Sequence, residues 1–346
     1  MASTMVRSSD GGEQIDREAV EASLDRMGLL DGSVLDVIRL TGGVSSDILL
    51  VTTSRRQLCF KRALQKLRVS ADWQAPVDRN RHEIHWIRAA NSVLPGIAPE
   101  ILGDDPLANA FAMAYLPAEC HPLWKAQLQA GSASLETAAA AGQSLGRLHA
   151  ATATTPALAE TFNNLHNFEA LRIDPFILES ARRTPEVAAE LFQIATDLRG
   201  ARTCLIHGDF SPKNILCGGP HGLVILDAEC ATWSDPVFDV AFCLTHLLLK
   251  SAVHRQYRQR TLAFVAALLD GYGGHVDWEP LDAFQARLAR LTPALMLARV
   301  DGKSPVNYLR RSDIQLTRIF ATQMIRCPAR TIDEFFGFWR HGLKSE

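Results

Sequence analysis

The sequence predicts an α+β fold with two lobes, in which a small antiparallel sheet with one helix precedes a larger and mainly helical part. Short segments of strand composition, separated by turn residues and one amphipathic stretch, fill the first third of the chain. Apolar residues at helical spacing dominate the remainder. The chain has 346 residues, which exceeds one ordinary compact core and is enough for two.

The first lobe is expected over 15–116. Residues 1–14 precede it as a disordered tail, because their polar composition offers little apolar surface to repay ordering. A short helix opens the lobe, and an amphipathic helix is expected at 78–90. Pro117 ends the sheet, since proline cannot donate to a strand ladder. The strand patterns cover 34–40, 47–52, 57–63, 101–102 and 111–116.

The second lobe is expected over 117–346 and is mostly helical. Two short apolar runs, 203–206 and 223–226, interrupt the helices, and polar acidic residues follow each of them. We expect these runs to be buried strands that end at a functional site. The helical patterns cover 134–150, 184–199, 235–250, 255–271, 278–298, 311–326 and 331–340.

Charge and cysteine content argue against several classes of protein. The formal net charge is -2, so no overall positive field attracts nucleic acid or an anionic membrane. The seven cysteines are scattered and never form a C-x-x-C pair, which disfavours a disulfide framework or a zinc site. The N-terminal segment has no apolar signal core, and no apolar run is long enough to span a bilayer. We therefore expect a soluble, cytoplasmic protein.

The densest group of chemically useful residues follows the run at 203–206. It contains His207, Asp209 and Asn214, and the next apolar run delivers Asp227 and Glu229. Phosphoryl transfer needs a carboxylate that orients and deprotonates the attacking hydroxyl, together with oxygen ligands for Mg²⁺. Asp209 suits the first role, and the amide and the two later carboxylates suit the second. The alternative is a buried, hydrogen-bonded loop without catalytic function.

A lysine in the third strand pattern suggests where a nucleotide would bind. Lys61 lies in an apolar strand, where its charge needs a partner, and Glu83 on the following helix is the expected one. Lys61 would then bond the α- and β-phosphates. The alternatives are that Lys61 extends to solvent from an edge strand and that Glu83 pairs with Arg79 on a solvated helix face.

The turn before the second strand pattern is rich in small residues. Its backbone N–H groups could cover the phosphates, although a glycine pair alone is more typical of a simple hairpin. The residues concerned are Gly42, Gly43, Ser45 and Ser46.

Together these residues resemble the aminoglycoside phosphotransferase and choline kinase family, which is related to protein kinases, over nearly the whole chain from Val34 onward. The most specific parts are His207-Gly208-Asp209 through Asn214, Asp227-x-Glu229, and Ser234-Asp235-Pro236-x-x-Asp239. The resemblance implies a bilobal protein-kinase-like fold with ATP and Mg²⁺ between the lobes. It implies that Asp209 is the catalytic aspartate, that Asn214 and Asp227 bind Mg²⁺, and that Glu229 contacts a second ion.

The resemblance also implies roles for residues around this centre. His207 would brace the catalytic loop, and Asp239 would hydrogen-bond the backbone of that loop. Met113 and Tyr115 fall in the hinge that pairs with adenine through its backbone. Ala114 between them stands where family members often carry an acidic residue, a departure that matters little to a backbone contact.

Within the family the chain looks closest to the branch around methylthioribose kinase. The D-x-E form at Asp227 points that way, as does Arg326, because that branch has a pair of arginines there that contact substrate and phosphate. Here Cys327 takes the second position, and Asn214 replaces a small residue, so the substrate stays open. Arg299 is a candidate wall residue of the acceptor pocket.

The sequence thus predicts an ATP-dependent small-molecule kinase that transfers the γ-phosphate to a hydroxyl of a sugar, an amino alcohol or an aminoglycoside-like compound. A catalytically silent nucleotide-binding module of the same fold is the main alternative. A metal-dependent hydrolase would leave Lys61 unexplained, and a protein kinase is disfavoured by the short segment between Asp227 and Asp239. The sequence leaves open the acceptor, the choice between ATP and GTP, the oligomeric state, and whether the role is metabolic or in resistance.

Overall fold

The computed structural model describes residues 15–30, 32–40, 45–68, 73–253 and 258–343. The expected tail at 1–14 and the glycine pair Gly42 and Gly43 therefore lie outside the described residues.

The N-terminal part contains an antiparallel sheet of five strands. In this sheet the third strand is central, and Lys61 on it lies opposite Ile48 on one side and Phe111 on the other. The strands are β1 (Val34–Arg39), β2 (Ser46–Thr53), β3 (Gln57–Ala63), β4 (Ile101–Asp105) and β5 (Ala110–Ala114), and their order in the sheet is β1-β2-β3-β5-β4.

Two helices belong to this part, α1 (Arg17–Arg26) and α2 (Arg79–Val93). Successive side chains of a strand point to opposite faces of its sheet. Leu58 and Phe60 accordingly share a small apolar cluster with Val20 and Leu24 of α1. Cys59 on the other face belongs to a much larger core that includes residues of α2 and of the helical part. Lys61, two residues after Cys59, therefore points toward α2.

The remainder of the chain is mostly helical, and its short strands pair into two ribbons. β6 (Cys204–Ile206) pairs with β9 (Thr232–Ser234), and β7 (Ile215–Cys217) pairs with β8 (Leu223–Ile225). A 3-10 turn at Pro212–Asn214 lies between β6 and β7. The helices are α3 (Trp124–Ala130), α4 (Leu135–Ala153), α5 (Leu158–Thr161), α6 (Leu165–Phe168), α7 (Glu179–Arg183), α8 (Ala188–Gly200), α9 (Val237–Val253), α10 (Arg258–Gly273), α11 (Leu281–Asp301), α12 (Arg311–Arg326) and α13 (Ile332–Gly342).

A wide π-helical segment, Glu169–Leu178, joins α6 to α7. It contains Pro175, which has no N–H to donate and would break the regular hydrogen-bond ladder of an α-helix. The sequence patterns gave no element between 154 and 183, because neither a strand nor a helical period continues through this proline. Another 3-10 turn, Pro185–Val187, precedes α8.

The expected α+β class, with a small antiparallel sheet followed by a mainly helical part, is confirmed. The two interrupting runs at 203–206 and 223–226 form β6 and β8, whereas their partners β7 and β9 were not expected. A lobe boundary at 116 stays a prediction, and the large core continues across it from Met113 to Trp124. No described helix combines the length and the apolar character that crossing a membrane requires.

Candidate active site

Asp209 follows β6 and is the best-anchored carboxylate of the site. It is 2% exposed. Its Oδ2 accepts from Asn214 Nδ2 at 2.9 Å, and it also lies 2.8 Å from Lys213 Nζ and 3.0 Å from Arg172 Nη2. Its Oδ1 is buried and has no hydrogen-bond partner among the described residues. One oxygen is thus held by the Asn214 amide and two cations, and the other can accept a proton from a ligand.

The charge of Asp209 is controlled by these neighbours. Burial raises the pKa of Asp209, but the Arg172 guanidinium and the Lys213 ammonium outweigh it, and the net shift of the pKa is downward. The carboxylate is therefore ionised in the neutral pH range, which a group that accepts a hydroxyl proton requires.

The loop that carries Asp209 is anchored through its backbone. Asp239, at the start of α9, accepts from His207 N at 2.6 Å and from Gly208 N at 2.8 Å. The His207 ring bonds Leu226 O at 3.0 Å through Nε2, and its Nδ1 accepts from Asp209 N at 3.1 Å. The structure thus places His207 and Asp239 at the hydrogen bonds that fix this loop, and their contribution to catalysis stays a prediction.

Gly208 is required by the geometry of the same loop. Its φ is +76°, in the left-handed region that side chains disfavour. A Cβ added there would lie 2.6 Å from Cys230 O. The loop therefore packs against the chain after β8 too closely for any other residue.

Lys61 joins the sheet to the other carboxylates. Its Nζ lies 2.8 and 2.6 Å from the two oxygens of Glu83 on α2 and 2.5 Å from Asp227 Oδ1. Burial lowers the pKa of Lys61, but Asp227 and Glu83 outweigh it and raise the pKa above its ordinary value. For Asp227, whose φ is +66°, burial is likewise outweighed, and Lys61 brings the pKa well below the usual range. Lys61 is buried and does not extend to solvent.

Glu229 is held by a buried arginine that the sequence analysis had considered only as a partner of Glu83. Arg79 Nε donates to Glu229 Oε2 at 3.0 Å, and Arg79 is fully buried. Its other N–H groups donate to the carbonyls of Ser45, Leu64, Ala75 and Pro76. The arginine therefore ties α2 both to the start of β2 and to the segment after Asp227.

Arg172 is a site residue that the sequence analysis missed. It lies in the π-helical segment, donates from Nε to Gly208 O at 2.6 Å, and pairs with Asp209. Its guanidinium stands over the rings of Phe176 and Phe242, with 5.6 and 5.5 Å to the centroids. The one local signal was a charged residue between Leu171 and Ile173, which does not reveal its partner.

Of the turn residues expected around the nucleotide, the structure describes Ser45 and Ser46. Ser45 lines a cavity of about 140 Å³ together with Asp209 and Asp227. Ser46 is buried at the start of β2, and its Oγ has no hydrogen-bond partner among the described residues. Their backbone contacts with a nucleotide stay a prediction.

Met113 and Tyr115 flank Ala114 at the end of β5. Ala114 N is already bonded to Glu100 O at 2.9 Å. Ala114 and Leu116 line a separate cavity of about 720 Å³, which none of the predicted catalytic side chains reaches. The adenine contact expected of this segment stays a prediction.

The two arginines expected near the acceptor separate in the structure. Arg299, near the end of α11, lines the cavity that contains Asp209. Arg326 at the end of α12 donates to Glu186 O at 3.3 Å and lines neither cavity beside Asp209. It points toward the turn before α8, so the structure does not bring it to the site.

The donor set fits a magnesium ion that arrives with phosphates. Among the described residues no three His, Cys, Asp or Glu side chains form a ready-made metal cluster. The side-chain amide of Asn214 donates to Asp209, which leaves the side-chain oxygen of Asn214 available as a ligand. The backbone oxygen of Asn214 accepts from Leu226 N at 2.9 Å, and this bond holds Asn214 beside Asp227. Mg²⁺ commonly binds through one or two protein oxygens plus substrate phosphates. Glu229 is less free, since Arg79 holds one of its oxygens.

Comparison with known proteins identifies the family and the fold of the chain. The model of the phosphotransferase enzyme family matches residues 36–284. No curated protein matches the chain. The solved structure of the gentamicin–APH(2'')-IIa complex is similar, with a TM-score of 0.52 and 15% identity over 93% of this chain and 99% of that one. Choline kinase LicA from Streptococcus pneumoniae has a TM-score of 0.46 and 15% identity over 93% of this chain and 98% of that one.

The sequence prediction of a branch near methylthioribose kinase stays a prediction. The expected protein-kinase-like fold is confirmed, and so is the expected enzyme class, a phosphotransferase with an alcohol group as acceptor. Because the family match covers well over half of its length, the chain belongs to the phosphotransferase enzyme family.

Proposed function

We propose that the protein is an ATP-dependent kinase that transfers the γ-phosphate of ATP to a hydroxyl of a small molecule. The observation that carries this proposal is the asymmetric Asp209 carboxylate. One of its oxygens is fixed by the Asn214 amide and two cations, while the other has no partner among the described residues and the side chain lines a cavity with Asp227. Such a carboxylate can orient an incoming hydroxyl without moving itself.

In the proposed reaction the acceptor hydroxyl hydrogen-bonds to Asp209 Oδ1. Its oxygen bonds to the γ-phosphorus while the bond from that phosphorus to the β,γ-bridging oxygen breaks, and ADP leaves with that electron pair. The hydroxyl proton passes to Asp209 Oδ1. Most of the acceleration in such transfers comes from positioning and from neutralising charge on the phosphoryl oxygens.

Other residues would serve these two purposes. Lys61 would bond phosphate oxygens while Glu83 holds its ammonium in place, a role supported by their 2.6 Å contact. Asn214 and Asp227 would hold Mg²⁺, which neutralises phosphate charge when it is bound. Arg172 would keep Asp209 ionised and correctly turned.

The test is phosphate transfer from γ-labelled ATP to a panel of sugars, amino alcohols, aminoglycosides and hydroxy acids. We expect Asp209→Asn to lower turnover by about 10²-fold or more, the scale of losing a general base. Asp197→Asn is the matched control, because Asp197 is an exposed carboxylate that pairs with Arg290 on the surface. A silent nucleotide-binding module would be stabilised by ATP and Mg²⁺ but would release no ADP. Equal turnover in Asp209→Asn and the wild type would exclude the proposed mechanism.

A further inference from the structure

A second cavity of about 100 Å³ lies beside the Asp209 site, and its lining is strongly basic. It shares Lys213, His246 and Arg299 with the cavity that contains Asp209, so the two are continuous around these side chains. Lys125 and Lys250 add two further cations, and none of the described residues that line this second cavity is acidic. We refer to it as the basic cavity.

The basic cavity is assembled from separate elements. Lys125 comes from α3, His246 and Lys250 come from α9, Arg299 comes from α11, and Tyr308 follows in the segment after it. These elements pack around the turn at Pro212–Asn214, which carries Lys213 and is next to Asp209. A group in the basic cavity would therefore be near the carboxylate that faces the acceptor.

Lys250 is buried in this cavity without a countercharge. It is 4% exposed, and no described carboxylate forms an ion pair with it. Its ammonium instead lies 4.4 Å from the centre of the Tyr308 ring. Burying an unpaired charge is costly, and buried charges in proteins are normally paired, so an anion bound beside Lys250 would relieve this cost.

Three other polar groups of the cavity also lack partners. His246 Nε2, Arg299 Nε and the Tyr308 hydroxyl are shielded from solvent and have no hydrogen-bond partner among the described residues. His246 is itself only 8% exposed. Most buried polar groups in native proteins are hydrogen-bonded, so three unpaired ones that line one cavity point to a ligand that completes them.

We infer that the acceptor of this kinase carries an anionic oxygen group, a carboxylate or a phosphate, which binds in the basic cavity while the acceptor hydroxyl lies at Asp209. The inference rests on the proposed function and narrows its substrate class. Hydroxy acids and sugar phosphates fit this description. Polycationic amino sugars and quaternary amino alcohols do not, because Lys125, Lys250 and Arg299 would repel them.

The ATP phosphates are not an alternative explanation for these cations. Lys61 and Asp227, which would receive the phosphates and their metal, do not line the basic cavity. Lys213 is shared by both regions and could contact the transferred phosphate. Lys125 and Lys250 line only the basic cavity, so substitutions at these positions report on the acceptor side.

The first test is binding and needs no acceptor. We expect inorganic phosphate or malonate to raise the melting temperature of the wild type, and choline chloride at equal ionic strength to leave it unchanged. Lys250→Met should melt higher than the wild type without any ligand and should lose most of the anion-induced rise. Lys303→Met is the control, because Lys303 pairs with Asp174 outside the cavity, and it should keep the rise. Equal stabilisation of wild type and Lys250→Met by both anions would overturn the inference.

The second test is transfer from ATP to acceptors matched in size but different in charge. Hydroxy acids and sugar phosphates form the two anionic arms. Comparing them shows whether the anionic group of the acceptor is a carboxylate or a phosphate. We expect an anionic arm to give the highest kcat/KM, and Lys250→Met to lower it about 10- to 100-fold, mainly through KM. A higher kcat/KM for neutral or cationic acceptors would overturn the inference and leave the kinase proposal intact. If no acceptor caused ADP release that depends on Asp209, this would count against the kinase proposal. The anion-binding test would still show whether the basic cavity binds an anion.

Discussion

The Lys61 ammonium lies 2.5 Å from Asp227 Oδ1, although 166 residues separate the two along the chain. Because Lys61 also contacts both oxygens of Glu83, one buried cation holds together the central strand, the helix α2 and the loop after β8. This three-way contact connects the predicted phosphate-binding lysine to the predicted metal ligand.

The three-way contact predicts that a single substitution of Lys61 lowers the unfolding free energy more than a double substitution of Lys61 and Glu83 does. Lys61→Met leaves Glu83 buried without its cation, and removing one partner of a buried pair costs about 3–5 kcal/mol of unfolding free energy. Lys61→Met/Glu83→Leu removes the fully buried pair and leaves Asp227, which is partly exposed, as the one carboxylate that has lost its cation, so much of the stability should return. Phosphate transfer should be lost in both variants, since neither retains the ammonium.

Urea unfolding of the three proteins measures these free energies, and labelled ATP measures the transfer. If Lys61→Met were as stable as the wild type, the ion pair would contribute no net stability. If it kept normal activity, Lys61 would have no role in binding phosphate.

Gly208→Ala should disrupt the catalytic loop. The added Cβ would lie 2.6 Å from a backbone oxygen, and the φ of +76° disfavours a side chain. We expect a loss of transfer of about 10²-fold, since small misplacements of a catalytic group have effects of this size. Gly200→Ala is the control, because a Cβ there meets nothing within 4 Å. Similar kcat values for the two variants would show that the tight loop is not required.

The sequence predicted the parts of the site that are close together along the chain. His207, Asp209 and Asn214 fall within one short stretch, so their spacing, together with the acidic pair that follows, pointed to a common site. Arg172 and Arg79 could not be found in this way, because each reaches its carboxylate across a long stretch of chain. The local sequence pattern shows that such an arginine has apolar neighbours along the chain. It does not show which distant carboxylate the arginine pairs with.

The basic cavity was hidden for the same reason. Its lysines and histidine come from α3, α9 and the turn before β7, and each looks like an ordinary member of its own segment. The net charge of -2 also masks it, since an average over the chain cannot reveal four cations gathered in one place. Arg299 was the only one of these residues singled out as a candidate.

Arg172 should set the acid limb of the pH profile. Burial raises the pKa of Asp209, and Arg172 is the first of the cations that bring it back down. Arg172→Met should therefore move the acid limb of kcat/KM to higher pH, because an adjacent opposite charge lowers the pKa of a carboxyl. Arg172→Lys keeps a positive charge and should move it less.

The measurement is kcat/KM for the best acceptor from pH 3.5 to 8, because the pKa of Asp209 lies below its ordinary value of 3.8 and the acid limb of the wild type therefore lies at low pH. Arg199→Met serves as the control, because Arg199 pairs with Glu169 away from Asp209. A uniform loss of activity in Arg172→Met, with the acid limb unmoved, would mean that Arg172 supports the loop without affecting the charge of Asp209.

Lys250 should make stability depend on pH in the alkaline range. Burial, followed by repulsion from Lys125 and Arg299, lowers the pKa of Lys250 from 10.5 to about 8 in the folded protein. Between these two values the unfolded chain binds more protons than the folded one, so unfolding free energy rises with pH. Below pH 8 the full cost of burying the Lys250 ammonium applies, roughly 3–4 kcal/mol at 1.4 kcal/mol per pKa unit. Above 10.5 Lys250 is neutral in both states, and the penalty vanishes.

The comparison that isolates this effect is Lys250→Met against the wild type in urea at pH 7.5, 9 and 10.5, without anions. We expect the variant to be more stable at pH 7.5, and the difference to shrink as pH rises, because only the wild type loses a buried charge. Excess phosphate at pH 7.5 should shrink it as well, since a bound anion neutralises Lys250. A difference that stays constant with pH would mean that the Lys250 ammonium is already compensated in the folded protein, and the basic cavity would then need no anionic ligand.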